Sequence, residues 1–227
     1  MDAAARMDRQ YRLQRHVYDF SRKYYLLGRD RLLAEIPLVA GERVLEIGCG
    51  TARNLIQLAR RYPETHLFGL DASERMLETA RDQLTRWGLQ DRVSLRQGLA
   101  EAANPAEFGI SEPFDHVLFP YVLSMIPHWP QALDHALTIL KPNGWLHIVD
   151  FSDQQALPAW FRVLLRHWLA WFHVQPAPEL PDYLRRLAAQ RGDRLELRQL
   201  AGRYALIAHY QRGSHFDDLE SELSHLP

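Results

Sequence analysis

With 227 residues, 47% of them hydrophobic, the chain can bury a substantial core, as one large domain with additions or as two small ones. Its 27 basic and 28 acidic side chains leave a net charge of -1, which excludes a global field drawing it to nucleic acid or to an anionic membrane. One cysteine, Cys49, excludes an intrachain disulfide and a multi-cysteine metal site and fits a reducing compartment, so a cytoplasmic protein is expected. The 11 histidines have no zinc-type spacing, so no metal is expected. No apolar signal-peptide core and no run of about 20 apolar residues is found, so no segment is expected to cross a bilayer.

Residues 11–36 are rich in charge and aromatics and lack proline, which predicts one or two helices interrupted near Gly28. Val44-Leu45-Glu46-Ile47 predicts a short strand ending at Gly48, followed by a helix with Leu55, Ile56, Leu58, Ala59 and Tyr62 on its apolar side. Leu67-Phe68-Gly69-Leu70 predicts a second strand stopped by Asp71, and Ser73 caps a helix whose Leu77, Ala80, Leu84 and Trp87 face the core. Val93-Ser94-Leu95 and His116-Val117-Leu118-Phe119 are the third and fourth strands. Leu133, Ala136, Leu137 and Leu140 mark a helix, and Trp145-Leu146-His147-Ile148-Val149 after Pro142-Asn143-Gly144 is the fifth strand. Helices are predicted over 158–173 and 181–191, then strands over 194–200 and 204–210 joined in a hairpin at Ala201-Gly202. Strands separated by helices at this spacing predict an α/β, Rossmann-like, doubly wound sheet. It has seven strands, mostly parallel with an antiparallel last strand, and takes its ligands at the carboxyl ends of the strands.

A glycine turn after the first strand lets the backbone approach a ligand closely and aims helix amides at it. Arg53 stands where a dinucleotide-binding turn has its third glycine, which argues against a pyrophosphate. Glu46, just before the turn, suits a ligand with an ammonium group and a sulfonium. Asp71 lies about 20 residues beyond the turn, where an acid takes both hydroxyls of a ribose. These features specify a nucleoside carrying a cationic amino acid.

Three segments, Val44-Leu45-Glu46-Ile47-Gly48-Cys49-Gly50-Thr51, Gly69-Leu70-Asp71-Ala72-Ser73-Glu74-Arg75-Met76-Leu77 and Leu137-Thr138-Ile139-Leu140-Lys141-Pro142-Asn143-Gly144, resemble successive motifs of class I S-adenosylmethionine methyltransferases. The resemblance covers roughly residues 40–151 and implies S-adenosylmethionine as cofactor, with S-adenosylhomocysteine as product. It implies that Gly48, Cys49 and Gly50 line the methionine part beside Glu46, that Asp71 holds the ribose, and that Ala72 and Met76 flank the adenine. Leu99 and Ala100, in Gly98-Leu99-Ala100-Glu101, match a segment that usually reads Gly-Asp-Ala-Glu; an adenine contact at Leu99 is therefore apolar or through backbone. Pro120 falls on the cofactor side, and Ala52 replaces a frequent third glycine. The implied organisation is a helical lid over 1–38, a methyltransferase domain over 39–212 with a helical acceptor-side insertion at 155–192, and a mobile acidic tail over 213–227.

Tyr18-Asp19-Phe20-Ser21-Arg22-Lys23-Tyr24-Tyr25-Leu26-Leu27-Gly28-Arg29-Asp30-Arg31 resembles the amino-terminal segment of betaine-lipid N-methyltransferases. That resemblance implies successive methylation of the amine of a diacylglyceryl-homoserine lipid, with an upstream lipid-modifying enzyme as partner. Aromatic faces stabilise a nascent quaternary ammonium by about 0.5–2 kcal/mol each. Tyr121, after the fourth strand, is the expected catalytic residue beside the methyl. Tyr18, Tyr24, Tyr25 and Trp129 are expected at the acceptor, with Arg22, Lys23 or Arg29 for its carboxylate. The aromatic helix at 158–173, with Arg162 and Arg166 four apart, suits a transient contact with the inner face of a membrane. Other readings are another small-molecule acceptor, such as a quinone ring carbon or phosphatidylethanolamine, with His128 or His116 as base for a carbon or oxygen acceptor, and a non-catalytic nucleoside-binding domain. None involves nucleic acid.

Overall fold

The computed structural model describes residues 26–172 and 174–214. Helix α1 (Arg29–Glu35) follows Gly28, whose left-handed φ of 87° marks the predicted break. The chain then alternates: β1 (Arg43–Ile47), α2 (Arg53–Arg61), β2 (His66–Asp71), α3 (Glu74–Arg86), β3 (Val93–Gln97), β4 (Phe114–Pro120), α4 (Trp129–Thr138) and β5 (Leu140–Phe151). Helices α5 (Ala159–Trp171) and α6 (Leu180–Arg191) precede the hairpin β6 (Arg194–Leu200) and β7 (Ala205–Gln211). The strands form one seven-stranded sheet in the order β3-β2-β1-β4-β5-β7-β6, in which β7 alone runs opposite to the other six.

The central strands read as unbroken apolar runs because helices cover both faces. On one face Leu45, Val117, Phe119, Leu146, Ile148 and Ala208 meet Leu133, Ala136 and Leu137 of α4 and Leu184 and Ala188 of α6. On the other, Val44, Leu67 and Leu118 meet Leu33 of α1, Leu55 and Leu58 of α2 and Leu77 and Leu84 of α3. Beyond them Val149, Phe151 and Ile207 meet Leu32 of α1 and Leu165 and Leu169 of α5. The edge strand β6 keeps Leu195 and Leu197 half-buried and exposes Arg194, Glu196 and Arg198, charges that discourage edge-to-edge pairing.

Local signals set most boundaries. The Ser73 hydroxyl accepts from the Met76 amide and caps α3, and Gly192 with φ 67° closes α6. Several boundaries differ from the sequence expectation, two of them by a change of pairing. Strand β5 starts at Leu140, before Pro142-Asn143-Gly144, because Phe114 pairs with Leu140 and the register resumes at His116–Trp145 across a bulge. Strand β3 is longer than expected, since Arg96 and Gln97 continue the ladder against Leu70 and Asp71. Residues 1–25, most of the expected lid with Tyr18, Arg22, Lys23, Tyr24 and Tyr25, and residues 215–227 of the expected tail lie outside the described residues.

Candidate active site

The carboxyl ends of β1 and β2 are joined by their turns. Gly48 has φ 67°, and a Cβ there would stand 2.4 Å from Val122 Cγ2, so both backbone and space demand glycine. Gly48→Ala should lower stability by about 2 kcal/mol or more in urea unfolding, from strain and overpacking together. The Cys49 amide donates to the Leu70 carbonyl at 3.0 Å. Asp71 then accepts from the Gly50 amide at 2.8 Å and from the Ser73 amide at 2.9 Å, one carboxylate holding the turns after both strands. Ala52 has φ 60° and is fully buried, so the position that often holds glycine keeps glycine-like backbone geometry here.

Glu46 is 1% exposed, and Asn54 in the first turn of α2 donates to it at 2.6 Å. Glu46, Gly48, Cys49 and Pro120 line one cavity together with Arg29, Thr51, Arg53 and Asn54. Four expected cofactor residues are thus brought together around a buried carboxylate, and Gly50 and Asp71 are bonded beside them. Around Asp71, the Gly98 amide donates to its carbonyl at 3.1 Å and the Gln97 side chain donates to the Ala72 carbonyl at 3.1 Å. Met76 is half-buried in the first turn of α3, Leu99 is exposed, and Ala100 is buried at the start of a short 3-10 turn. A nucleoside carrying a cationic amino acid fits this donor set: a buried acid with apolar and backbone surroundings at one end, and a carboxylate beside apolar side chains at the other.

Tyr121 stands just after β4 with φ 60°, 3% exposed, its ring packed edge-on against that of Phe151 with centroids 4.8 Å apart and its hydroxyl donating to the Leu27 carbonyl. Burial, then the charge of Asp150, pushes its phenol well above the usual range, so it stays protonated. Burial, then Asp71 and Glu46, does the same to the Cys49 thiol, which is no nucleophile. The structure does not bring Trp129 together with Tyr121. Trp129 opens α4 in the core of the opposite face, its ring 5.1 Å from that of Tyr183. His116 lies buried near the amino end of β4, paired in register with Val44 and Trp145, which corrects the expectation that it serves as a base at the acceptor.

Two polar residues near these strand ends, Asn54 and Asp150, carried no sequence signal of their own, and Arg29 was expected at an acceptor carboxylate rather than at this cavity. Asn54 orients Glu46, and Arg29, 9% exposed, lines the cavity from α1. Asp150 at the end of β5 accepts from the Ser124 amide at 3.1 Å and the Phe151 amide at 2.7 Å. Burial raises its carboxyl to about 6 against these bonds, and it anchors the turn after β4.

Residues 45–146 match the family described as a methyltransferase domain. Together with the strand order, this defines a Rossmann-like methyltransferase fold. A demethylmenaquinone methyltransferase from Listeria monocytogenes is 31% identical over 142 residues, 62% of this chain and 57% of the relative. The chain therefore spans little more than half the length of this curated relative. The solved structure of an O-methyltransferase family protein from Burkholderia thailandensis superposes with a TM-score of 0.68 at 21% identity, over 92% of this chain and 63% of that one. The plantazolicin methyltransferase BpumL, solved in complex with a monoazolic desmethylPZN analog and SAH, superposes with a TM-score of 0.64 at 12% identity, over 87% of this chain and 88% of its own.

Proposed function

We propose that the chain is an S-adenosylmethionine-dependent methyltransferase. The observation that carries this reading is the buried Glu46 and the amide-bound Asp71 on either side of the Gly48–Gly50 turn, at the ends of adjacent strands. Glu46 would hold the ammonium of the amino-acid end, and Arg29 its carboxylate. A carboxylate has about four acceptor positions, so Asp71 serves the two turn amides and a ribose at once. Ala72, Met76, Leu99 and Ala100 supply the surface for the adenine. When bound, S-adenosylmethionine supplies a sulfonium methyl to the acceptor. The chain's part is to hold an acceptor in line and to keep competing nucleophiles protonated, as Cys49 and Tyr121 are. Calorimetric titration of the full chain with S-adenosylmethionine and with S-adenosylhomocysteine tests this; no heat of binding for either at about 1 mM refutes it.

For the acceptor we propose a lipid-borne amine, the diacylglyceryl-homoserine headgroup, methylated in succession at the membrane surface. The reading rests on the resemblance over residues 18–31 and on α5, which exposes Trp160, Val163, Leu164 and Trp171 with Arg162 and Arg166 on its flank. Among the described residues no helix is long and apolar enough to cross a membrane, so such a contact is peripheral. A quinone ring carbon is the second reading, favoured by the similarity to the demethylmenaquinone methyltransferase. Mass spectrometry of lipids from cells making the homoserine lipid, with and without this protein, separates them: gains of one to three methyls support the amine, and no gain refutes it.

Within this reading Tyr121 presents its ring, not its hydroxyl, to the acceptor side. Tyr121→Phe should therefore keep methyl transfer within about threefold while losing about 1 kcal/mol of stability with the bond to Leu27. A hundredfold loss of activity at unchanged stability would give the hydroxyl the chemical part instead.

A further inference from the structure

Three histidines far apart in sequence meet on the face of the sheet that α1 covers. His116 lies in β4, His147 in β5 and His209 in β7, and the β5–β7 register sets His147 opposite His209. His116 Nδ1 is 2.9 Å from His147 Nε2, and His147 Nδ1 is 2.7 Å from His209 Nδ1. Each end closes on a carboxylate: His116 Nε2 is 3.2 Å from Glu42 Oε2, just before β1, and His209 Nε2 is 3.2 Å from Glu35 Oε2, in the last turn of α1. All three rings are at least nine-tenths buried, and both carboxylates are partly exposed.

The proton count of this row is fixed by its geometry. Four contacts link five groups, and each contact needs one proton between its two heavy atoms. Three neutral imidazoles bring three protons, one each, and ionised carboxylates bring none. In that state one contact sets two lone pairs against each other. A fourth proton completes all four hydrogen bonds, and a fifth sets two N–H groups face to face. The complete row therefore contains one imidazolium between two carboxylates. Its place follows from the surroundings. Burial, with His116 and His209 adding to it, holds His147 well below the usual histidine range, and burial outweighs the raising effect of Glu42 at His116. The geometry therefore places the fourth proton at the Glu35 end of the row, where the two ring nitrogens of His209 face His147 and Glu35.

We propose that Glu42, His116, His147, His209 and Glu35 form a proton-holding relay that fastens α1 to the sheet and makes this docking depend on pH. The charged groups facing the relay are few. Asp115, itself bonded to Lys141, lies near His116. Arg31 of α1 and Arg198 of β6 donate to the Glu35 carboxylate beside His209. Burial would raise Glu35, but the bonds from Arg31, His209 and Arg198 outweigh it and keep it ionised. Glu196 of β6 is the cross-strand neighbour of His209 and is held by Arg194. Trp145 stacks on His147 with centroids 6.1 Å apart. Because α1 also carries Arg29 to the cavity of Glu46, loosening it alters that cavity's wall.

The sign of the pH dependence has two limbs. Because the fourth proton completes the four hydrogen bonds only in the folded relay, its contribution is full below about pH 6.5, where the histidines of the unfolded chain are charged, and is lost as pH rises through the relay's release. His116 and His147 are held neutral, so their share is present above about pH 6.5 and is lost as pH falls and they must charge. Stability is thus greatest between the limbs. On the alkaline limb the unfolding constant rises by up to about tenfold per pH unit, the slope for one bound proton.

The experiment is side-chain nitrogen NMR of the full chain with pH-dependent urea unfolding, in native protein and in Glu35→Gln. A glutamine at 35 donates its amide to His209 Nε2, so every contact is satisfied by three neutral rings; its carbonyl still accepts from Arg31, and exposed Arg198 gives way. At about pH 7.5 native protein should show one imidazolium among the three buried rings. Glu35→Gln should show none and should lose the alkaline limb. Glu42→Gln completes the row from the other end only by giving up the bond that the Val39 amide makes to the same oxygen, so it serves, read by the nitrogen spectrum and by loss of the alkaline limb, if Glu35→Gln does not fold. Three neutral rings in native protein from about pH 6.5 to 8.5, or an imidazolium that survives in the folded glutamine variant, overturns the proposal. The readouts do not depend on the methyltransferase reading.

Discussion

Asp71→Ala should weaken S-adenosylmethionine binding by at least about tenfold, equivalent to about 1.4 kcal/mol, and by up to about a thousandfold. The range follows from what the carboxylate does. A ribose hydroxyl donating to an ionised carboxylate is worth about 1.5–3 kcal/mol, and two hydroxyls are at stake. The same carboxylate holds the Gly50 and Ser73 amides, so alanine also frees the glycine turn and the start of α3. Asp71→Asn separates the two effects poorly, because its NH2 would face one of the two backbone donors. Comparing stability with affinity separates them better: loss of the turn bonds appears in urea unfolding without ligand, and loss of the ribose contact appears only in the titration. Unchanged affinity in a folded Asp71→Ala protein refutes the assignment of Asp71 to the cofactor.

The cofactor end of this molecule was legible because its parts are local. Val44-Leu45-Glu46-Ile47-Gly48 and Leu67-Phe68-Gly69-Leu70-Asp71 each carry a strand and its stop, and adjacency of β1 and β2 follows from the alternation of strand and helix. The hairpin was readable for the same reason, with positive φ at Ala201, Gly202 and Arg203 where the turn residues stand. What depends on register was hidden. His116, His147 and His209 are 31 and 62 residues apart, so a search for metal-type spacing passes over them, and only the order β4-β5-β7 sets them side by side. Tyr121 shows the same limit. Its place after β4 is legible, whereas the carbonyl that takes its hydroxyl comes from Leu27, 94 residues earlier, and depends on how α1 docks. Trp129 was read from its aromatic character alone, and its orientation depends on Tyr183 in α6.

Helix α5 carries the second large expected effect, and the structure changes which residues should show it. Its apolar side chains fall into two stripes. Phe161, Leu165, Trp168, Leu169 and Phe172 pack inward on the cluster of Val149 and Ile207. Trp160, Val163, Leu164 and Trp171 face outward, the two tryptophans each 71% exposed, along the i, i+3, i+4, i+11 spacing of one helical face. Exposed patches of this kind on a helix with flanking arginines suit the headgroup region of an anionic membrane. Burying each tryptophan is worth about 1.5–3 kcal/mol, so Trp160→Ser with Trp171→Ser should reduce vesicle partitioning on the order of a hundredfold while leaving the core intact. Trp168→Ser cuts into the inner stripe and should instead lower stability. Reversing Arg162 and Arg166 to glutamate should weaken binding to anionic vesicles by about tenfold or more and leave neutral vesicles unaffected, since each arginine near such a surface contributes about 1 kcal/mol. Co-sedimentation with vesicles of both compositions distinguishes the apolar from the electrostatic part. Partitioning that neither pair of substitutions alters would assign this face to an occupant other than lipid, and would leave the amine reading resting on residues 18–31 alone.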